Sequence, residues 1–507
     1  MKNNALRIAA LFLMLALVLG VFAACGDKSG ESAINDKSDG NIPGSDPDSG
    51  ANQPANERIA PDLPEANFNG YMFTFLANMD ESDDRYEPEP RELVAEVENA
   101  EEPINDAVYK RNEMLKEKYN INFDMVGNTD EDAVLKKTVS SGDETYDAVI
   151  IFNNHVSTVV NGGLLTNIAN LPYIDLDKPW WDPAVNSMSI DNKQFLLGGD
   201  LLILDNEATN ALLFNKDLMA TLAMDLPYAL VGEGKWTMDK MNDYIKNGSS
   251  DLNGDGKMEA EDDRWGFVAY RDTMHALLVS GGGTLALKDE NDLPYMTLTS
   301  PRNLTVIEKI MDIMYDKQNV LNVQSDTTMG DNSSNWLRIY HGAFEENRAL
   351  FMWVRMRVVE KFRGMDANFG IIPLPKYDEN QDNYHSVVNS WSGVLLGVPN
   401  SVKDLDRTSI ILEAMAAESR YTLQPAYYDV VLQRKFVRDE ESSDMLDIIF
   451  NSRVYDIGAV YGFGDAFVGF ITLCDKSDRN VVSYYEKRQG AMEKAIIKVI
   501  SVFEDMD

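Results

Sequence analysis

Short apolar runs alternate with amphipathic stretches through most of the chain, and this alternation limits the possible folds more than any other feature. Residues 71–76 (YMFTFL) and 147–152 (DAVIIF) have the pattern of strands, and residues 104–119 carry apolar side chains at helical spacing between them. Strands separated by helices predict an α/β protein with a parallel sheet and right-handed crossovers. Ligands of such sheets bind beyond the carboxyl ends of the strands, here residues 77–80 and 153–155.

The first 25 residues decide on which side of a membrane the remaining chain lies. Lys2 and Arg7 precede the uncharged residues 8–24, which is the layout of a secretory signal. This run ends in FAAC, which resembles the lipobox of bacterial lipoproteins, where the cysteine is lipidated and becomes the mature N-terminus. The alternative is an uncleaved membrane helix, because the run is long enough to cross a bilayer of ~30 Å. Both interpretations export the rest of the chain, and the small residues before Cys25 favour a signal peptide over residues 1–24 with lipidation of Cys25.

The segment after the cysteine has the composition of a tether. Residues 25–65 are rich in Gly, Ser, Asp, Asn and Pro and contain no aromatic side chain. A segment of this kind buries too little apolar surface to fold by itself. We expect residues 25–65 to be a disordered linker that holds the folded body away from the bilayer.

Composition excludes several classes of protein. The net charge of −37 repels nucleic acid and anionic lipid, so no nucleic-acid partner is expected. Lipidation of Cys25 would leave Cys474 without a partner, which excludes a disulfide framework and a CxxC metal site. The four His do not form an HExxH motif, which argues against a zinc enzyme.

Several segments resemble the extracellular solute-binding proteins of ABC importers, especially the sugar-binding, maltose-binding-protein-like branch. The agreement lies in the order and spacing of the pieces and covers about residues 68–507. The matching pieces are DAVIIFNN with GGLLTNI (147–168), KPWWDP (178–183), EATNALLFNKDLM (207–219), KWTMDKMNDYI (235–245), ALFMWVRM (349–356), NFGIIPLPKYD (368–378) and WSGVLLGVP (391–399).

This resemblance implies a two-lobed periplasmic-binding-protein-like α/β fold with an interlobe ligand cleft and hinge crossings. Lobe one would comprise residues 66–206 plus 370–424, and lobe two residues 207–369 plus 425–507. Such proteins close around their ligand by a hinge movement. We therefore expect a monomeric, lipid-anchored receptor on the extracellular face of the cell membrane, which passes a carbohydrate to ABC permease subunits.

Sugars have apolar faces and hydroxyl rims, so a sugar site needs aromatic platforms and polar groups that both donate and accept hydrogen bonds. The candidates are polar residues at a strand end, aromatic residues in loops, and residues near the expected crossings. Two adjacent indoles such as those of KPWWDP are not expected to be buried together, whereas the aromatic residues of VYGFGD are better explained by packing. The predicted ligand-binding residues are Asn153, Asn154, His155, Trp180, Trp181, Glu207, Trp353, Arg355, Trp391, Tyr461 and Phe463.

The segment DLNGDGKMEAED has the spacing of an EF-hand calcium loop, with oxygen ligands at alternate positions and Gly at the sixth. The expected metal residues are Asp251, Asn253, Asp255, Lys257 through its carbonyl, Glu259 and Asp262. Asp262 replaces the usual bidentate Glu, and a strand-like WGFVAY follows where a helix would be expected. An ordinary Asn/Asp/Gly turn is the alternative, but the number of matched positions favours a structural calcium ion.

Enzyme interpretations have less support. Adjacent carboxylates such as Glu345 and Glu346 are expected by chance among 83 acidic residues, and nothing gives them the separation of an acid and a base. The glycine run at residues 281–283 lacks a phosphate-binding motif. The prediction is thus a solute-binding protein that captures a carbohydrate, of the oligosaccharide class, without catalysis. The alternatives are a surface hydrolase or lyase acting on glycans, or a receptor for a non-sugar solute such as a peptide.

The lipid anchor leads to a direct test. Replacing Cys25 with Ala removes the only residue that could take the diacylglyceryl group, so the variant should be released into the medium or stay unprocessed. Metabolic labelling with a fatty acid should tag the wild-type protein and not the variant. A labelled Cys25→Ala protein would show that the FAAC sequence is not a lipobox.

Overall fold

The computed structural model describes residues 58–78, 91–323, 333–432 and 440–506. The predicted signal peptide (residues 1–24), Cys25 and most of the expected tether lie outside these residues. The described body is one compact unit that begins at Ile59. The Ile59 amide donates to the hydroxyl of Tyr421 at 2.9 Å, and Leu63 packs on the core. The expected tether boundary at residue 65 is therefore wrong, because the chain already contacts the body from Ile59.

The strands of the described ranges build two main sheets and two short pairs. They are β1 (Tyr71–Asn78), β2 (Ile121–Asn128), β3 (Ala148–Phe152), β4 (Asn210–Asn215), β5 (Trp265–Ala269), β6 (Ala286–Lys288), β7 (Pro294–Met296), β8 (Val320–Asn322), β9 (Ala349–Arg355), β10 (Phe369–Ile372), β11 (Ser386–Val387), β12 (Val394–Gly397) and β13 (Arg453–Val454).

The first sheet has the order β12-β3-β1-β2. Strand β1 pairs in parallel with β2 and with β3, as the strand and helix alternation predicts. Strand β12 is antiparallel to β3, with Val394 opposite Phe152. The expectation of a purely parallel sheet is wrong at this edge, because β12 enters from the second sheet and not through a crossover helix.

The second sheet has the order β10-β4-β9-β5-β8 and is also mixed. Strands β9, β5 and β8 run parallel to one another, whereas β4 is antiparallel to both β9 and β10. Because β10 pairs with β4, Phe369–Ile372 belongs to this sheet. The lobe boundary expected at residue 370 therefore moves beyond Ile372.

Helices cover both sheets. They are α1 (Pro103–Tyr119), α2 (Glu131–Ser141), α3 (Val156–Asn161), α4 (Leu204–Ala208), α5 (Lys216–Thr221), α6 (Tyr228–Gly232), α7 (Met238–Gly248), α8 (Thr273–Ser280), α9 (Pro301–Met314), α10 (Ser333–Glu345), α11 (Leu405–Ser419), α12 (Leu423–Leu432), α13 (Glu440–Asn451), α14 (Ile457–Val460), α15 (Ala466–Asp475) and α16 (Val481–Asp505). Short 3₁₀ segments are Ile168–Asn170, Pro183–Met188, Met356–Gly364 and Phe463–Asp465. Within the described ranges, none of the helices combines the length and apolar composition needed to cross a bilayer.

Local capping fixes where several helices begin. The Thr237 hydroxyl accepts from the Lys240 amide at the start of α7, as the sequence predicts. Ser300 caps α9 in the same way, with Pro301 in the first turn. These oxygens satisfy amides that have no partner within the helix, which stabilises each start by about 1 kcal/mol.

Alternating strand residues separate the cores on the two faces of the first sheet. Phe73, Phe75 and Ile150 pack with α11 in one core, whereas Leu76 and Ile151 pack in the other. This division follows from the two-residue period of a strand, which places neighbouring side chains on opposite faces. The strands of the second sheet are buried in a separate, larger cluster.

The C-terminal helix completes the core of the first sheet. Val499 and Phe503 are buried in the cluster that contains α3, and the Phe503 ring lies 4.9 Å from that of Phe195. The ammonium group of Lys193 donates to the Phe503 carbonyl at 2.6 Å. Although the resemblance assigns residues 425–507 to lobe two, α16 thus packs on the side of lobe one.

Both indoles of KPWWDP lie in the first core, where one carboxylate holds them. The Nε1 atoms of Trp180 and Trp181 donate to the two oxygens of Glu413 at 3.0 and 2.8 Å. Only 0% and 5% of the two tryptophans are exposed. The expectation that they would not both be buried is wrong, because Glu413 on α11 satisfies both N–H groups.

The buried Glu413 makes stability depend on pH. Burial raises the pKa of Glu413 to about 7, whereas a glutamate in the unfolded chain titrates near 4.3. Between these values the folded state binds more protons, so the free energy of unfolding falls as pH rises. Glu413→Gln should reduce the fall between pH 5 and pH 8 by about 1–3 kcal/mol, since one pKa unit corresponds to ~1.4 kcal/mol.

Urea unfolding followed by tryptophan fluorescence at the two pH values measures this difference. Glu117→Gln is the matched control, because Glu117 is exposed on α1, and it should keep the wild-type pH dependence. Equal pH dependence in wild type and Glu413→Gln would contradict the prediction.

Candidate ligand-binding site

Three segments of the described chain lie at the crossing between the two sheets and contact one another. The first contains α4, the second runs from β11 to β12, and the third contains β13. Thr209 forms a bridge with Val388, and the Asn389 amide donates to the Ala208 carbonyl at 3.0 Å. Since β11 also pairs with β13, the crossings form one backbone-bonded unit between the sheets.

An ion cluster reinforces this unit. The Arg453 guanidinium on β13 contacts Asp182 at 2.9 Å and Asp205 on α4 at 3.4 Å. Burial raises the pKa of Asp205 to about 7, and the charge of Arg453 opposes that rise. The positive charge of Arg453 therefore favours the ionised form of Asp205 inside the protein.

The carboxyl ends of β5, β8 and β9 form one edge of the second sheet, where the chain places a set of polar side chains. Asp272 follows β5, Asn322 ends β8 and Arg355 ends β9. Asn210, at the start of β4, lies opposite Arg355 in the sheet register. This edge faces the second crossing, and ligands of α/β sheets bind at such an edge.

The Asp272 side chain does not cap the helix that it precedes. Although it occupies the N-cap position of α8, its side chain makes no capping hydrogen bond. Its carboxylate instead lies 3.8 Å from the Nε atom of Arg271 and faces the side chain of Asn389, whose amide lowers the pKa of Asp272. Burial raises the pKa of Asp272, and the charges of Arg355 and Arg271 offset part of the rise. Asp272 is thus an acceptor directed at the second crossing.

The orientation of Asn389 follows from its other contacts. Its Oδ1 accepts from the amides of Trp391 and Ser392 at 2.9 and 3.2 Å. The amide nitrogen is therefore the end of this side chain that faces Asp272. Asn389 thereby fixes the turn at residues 389–392 and leaves its donor end beside the carboxylate of Asp272.

Asn153 reaches the same turn from the first sheet. It follows β3, its backbone amide donates to the Gly393 carbonyl at 2.8 Å, and its side chain is 0% exposed. Among the described residues, neither side-chain atom of Asn153 has a hydrogen-bond partner. A Cβ at Gly393 would lie 2.5 Å from Asn153 Nδ2 and would clash with it. Only glycine at this position therefore accommodates the Asn153 side chain as it is placed.

Further polar groups around the turn also lack partners within the described ranges. These atoms are Ser390 Oγ, Asn210 Oδ1 and both side-chain atoms of Asn322. Buried polar atoms are nearly always hydrogen-bonded, so a cluster of orphaned atoms indicates a place for water or for a ligand. Trp391, which is partly exposed 5.8 Å from Phe467, provides an aromatic surface beside them.

The structure brings together only some of the predicted ligand-binding residues. Asn153, Arg355 and Trp391 gather at the second crossing. Trp353 is next to them on β9 but is 0% exposed, with its ring 4.7 Å from that of Tyr270. The expected exposed platform at Trp353 is therefore wrong, because the ring fills the core of the second lobe.

The other predicted residues have different surroundings. Asn154 is exposed, and Glu207 on α4 forms an ion pair with Arg91. His155 Nδ1 lies 2.7 Å from Glu131 Oε1, a hydrogen bond that raises the pKa of His155. With Asp132, these two residues form the one group of three His, Cys, Asp or Glu ligand atoms within 4.8 Å that occurs in the described chain.

Tyr461 and Phe463 stack on each other in the core of the first lobe. Their ring centroids are 5.7 Å apart, and the Tyr461 hydroxyl donates to the Met188 carbonyl at 3.0 Å. Both are almost fully buried. Both rings pack in the core, as the sequence favours for this pair, and neither ring is exposed to a cleft.

The expected calcium loop folds around its first aspartate. The two oxygens of Asp251 accept from the amides of Gly254 and Gly256 at 2.6 and 2.8 Å. Asp262, expected to close the loop, is exposed. Asp263 is buried instead and accepts from the amides of Leu252 and Glu259 at 2.8 and 2.7 Å. The structure therefore turns Asp263, and not Asp262, toward the backbone of the loop, which favours Asp263 as the carboxylate that closes it.

Sequence reasoning missed Asp272, Asn389 and Ser390. Asp272 precedes a helix, where aspartate usually caps, so its sequence position gives no sign of another role. Asn389 and Ser390 directly precede the WSGVLLGVP segment. Their position just before a predicted strand is the sequence feature that could have indicated a role in ligand binding.

No protein-family model matches the chain, and comparison with curated protein sequences gives no significant match. Solved structures do resemble it over most of its length. The chain has the two-lobed α/β fold of the periplasmic binding proteins, with the polar cluster at the crossings between its sheets.

Individual structures define this likeness. M. tuberculosis UspC aligns with 84% of this chain and 100% of its own, at 16% identity and a TM-score of 0.55. A cyclo/maltodextrin-binding protein complexed with maltotetraose covers 86% of this chain and 96% of its own, at 13% identity and 0.53. RafE from Streptococcus pneumoniae, in its apo form, covers 86% and 98%, at 14% identity and 0.50. At these identities the comparison establishes the fold.

Proposed function

We propose that this protein is an extracellular solute-binding protein that captures a carbohydrate, of the oligosaccharide class, for an ABC transporter without changing it chemically. The observation that carries the proposal is the cluster of orphaned buried polar atoms at the crossings of a two-lobed fold. Solved proteins with this fold include one complexed with maltotetraose. Neutral amides and a hydroxyl fit sugar hydroxyls, which both donate and accept hydrogen bonds.

The position of the site supports capture by closure. Asn153 comes from the first sheet and Asp272 from the second, and both meet the turn that follows the crossing. A solute bound to both would favour the closed arrangement by the difference in its affinity for the two states. The permease partner and the lipid anchor at Cys25 belong to the same proposal, which places the protein on the outer face of the membrane.

Carbohydrate binding can be tested by calorimetry with maltose, maltotetraose, raffinose and mannotriose. We expect heat of binding from at least one of them, and small-angle scattering should show a more compact protein with that sugar. Asn153→Ala should weaken binding at least about tenfold, because two hydrogen-bonding atoms are lost, each contributing roughly 1 kcal/mol. Its free energy of unfolding should change little, since the amide has no partner to lose.

Asn303→Ala is the matched control. The Asn303 side chain is buried away from the crossings and donates to the carbonyls of Thr284 and Thr297 at 2.6 and 2.8 Å. Its loss should lower the free energy of unfolding by about 1–3 kcal/mol and leave sugar affinity unchanged. Absence of heat from the whole panel, or release of a product from any bound glycan, would contradict the proposal.

We also propose that the loop at residues 251–263 binds a structural calcium ion. Asp251, Asn253 and Asp255 supply hard oxygen donors at alternate positions, which is the chemistry calcium requires. Glycines with φ of 76° and 83°, Gly254 and Gly256, permit the tight turn between them. Calcium there would stiffen the segment that leads into β5.

Calcium should raise the melting temperature by several degrees, because a ligand that binds only the folded state stabilises it. Asp251→Asn should abolish both this shift and the heat of calcium titration. Asp262→Asn, which changes an exposed carboxylate, should retain both. A melting temperature that does not respond to chelator, together with no titration heat, would exclude the site.

A further inference from the structure

We propose that Asp272 is the residue that determines sugar specificity, binding a neighbouring pair of hydroxyl groups on a neutral sugar ring together with Arg355. This inference rests on the proposed carbohydrate-binding function and goes beyond it, since it names the hydroxyl groups of the sugar that the protein recognises. Its basis is the placement of a carboxylate and a guanidinium at one sheet edge, beside orphaned amides from the opposite sheet.

The Asp272 carboxylate does not cap its own helix. An N-cap aspartate normally accepts from the amides of its own helix, yet this side chain makes no such bond. It lies 3.8 Å from the Nε atom of Arg271 and faces the Asn389 side chain at the crossing. A fixed, largely buried carboxylate with further acceptor capacity is therefore presented where ligands of α/β sheets bind.

Asp272 and Arg355 are chemically complementary to a sugar ring. Neighbouring hydroxyls of a sugar ring can donate to a carboxylate and accept from a guanidinium at the same time. Hydrogen bonds to ionised groups are roughly twice as strong as those between neutral groups. Arg355 ends β9 and Asp272 follows β5, the parallel strand paired with β9, so a donor and an acceptor lie at the same sheet edge, where the charge of Arg355 acts on Asp272.

The opposite side of this place is also polar. Asn153 and Ser390 present buried atoms that have no partner among the described residues. Asn389 lies between the two sides, because its Oδ1 atom fixes the turn and its amide nitrogen faces Asp272. A ring whose hydroxyls bind Asp272 would have amide and hydroxyl partners on its other edge.

The experiment uses the same four sugars and the full-length wild-type, Asp272→Asn and Asp272→Glu proteins, with calorimetry from pH 4.5 to 8. Asp272→Asn keeps the shape of the side chain but removes its charge. It should lower the affinity for the most tightly bound sugar about 10- to 100-fold at pH 8. Asp272→Glu keeps the charge on a longer side chain and should bind with intermediate affinity. Asp404→Asn is the control, since Asp404 caps α11 on the far side of the first sheet, and should bind as wild type.

The pH profile separates a direct role from a structural one. The groups that face Asp272 are Arg271, Arg355, His275 and Asp475. Wild-type affinity should fall as the pH is lowered and Asp272 becomes protonated, whereas the Asp272→Asn profile should lose this acidic decrease. Analogues of the most tightly bound sugar that each lack one hydroxyl should bind wild type at least tenfold more weakly when the missing hydroxyl is at either of two neighbouring positions. The affinity of Asp272→Asn should fall much less with the same analogues.

The outcomes distinguish the two proposals. Suppose that wild type binds a sugar and that a folded Asp272→Asn protein has the same affinity, the same pH profile and the same loss of affinity for deoxy analogues. That result would overturn the role of Asp272, but not the proposed carbohydrate-binding function. Failure of all four sugars to bind wild type would overturn both. If Asp272→Asn does not fold, as judged by circular dichroism, the same criteria apply to Asp272→Glu, whose unchanged affinity would overturn the role.

Discussion

Backbone pairing between the crossing segments is the constraint on which the site depends. The bridge of Thr209 with Val388 and the Asn389 to Ala208 hydrogen bond fix where the chain leaves one sheet and enters the other. These main-chain contacts position the start of the turn at residues 389–392, and the Asn389 side chain then fixes the turn itself. The turn presents the Asn389 amide nitrogen toward Asp272, and a Ser390 hydroxyl that has no partner in the described part of the chain.

The same crossings also contain much of the buried charge. Arg453 neutralises Asp182 and Asp205 between the sheets, and Glu92 accepts from the amides of Ile203 and Leu204 just before α4. Burial raises the pKa of Glu92 to about 7. Buried ionic groups of this kind contribute little net stability, but removing one partner is costly because the other charge remains buried. They therefore favour one particular arrangement of the crossings over others.

Sequence alone predicted the local structure well and the tertiary contacts less well. Strands such as β3 and helices such as α7 follow from periodicity and capping, which depend on neighbouring residues. The burial of Trp180 and Trp181 could not be predicted, because the Glu413 that binds them is more than 230 residues away. Asp272 shows the same limit in the site, since its helix-start position has an ordinary local explanation and its use at the crossing depends on Asn389. The two-lobed fold followed from the resemblance, whereas the composition of the site required the packing.

The placement of α16 affects the order in which the protein can fold. Strand β1 and the buried Phe503 are more than 400 residues apart in the sequence, yet Leu76 of β1 and Phe503 lie in the same core. A ribosome therefore makes more than 400 further residues after β1 before these two elements can pack in that core. Until then the face of the sheet around Phe195 lacks its final covering layer, and the lobe that begins with β1 is completed only by α16.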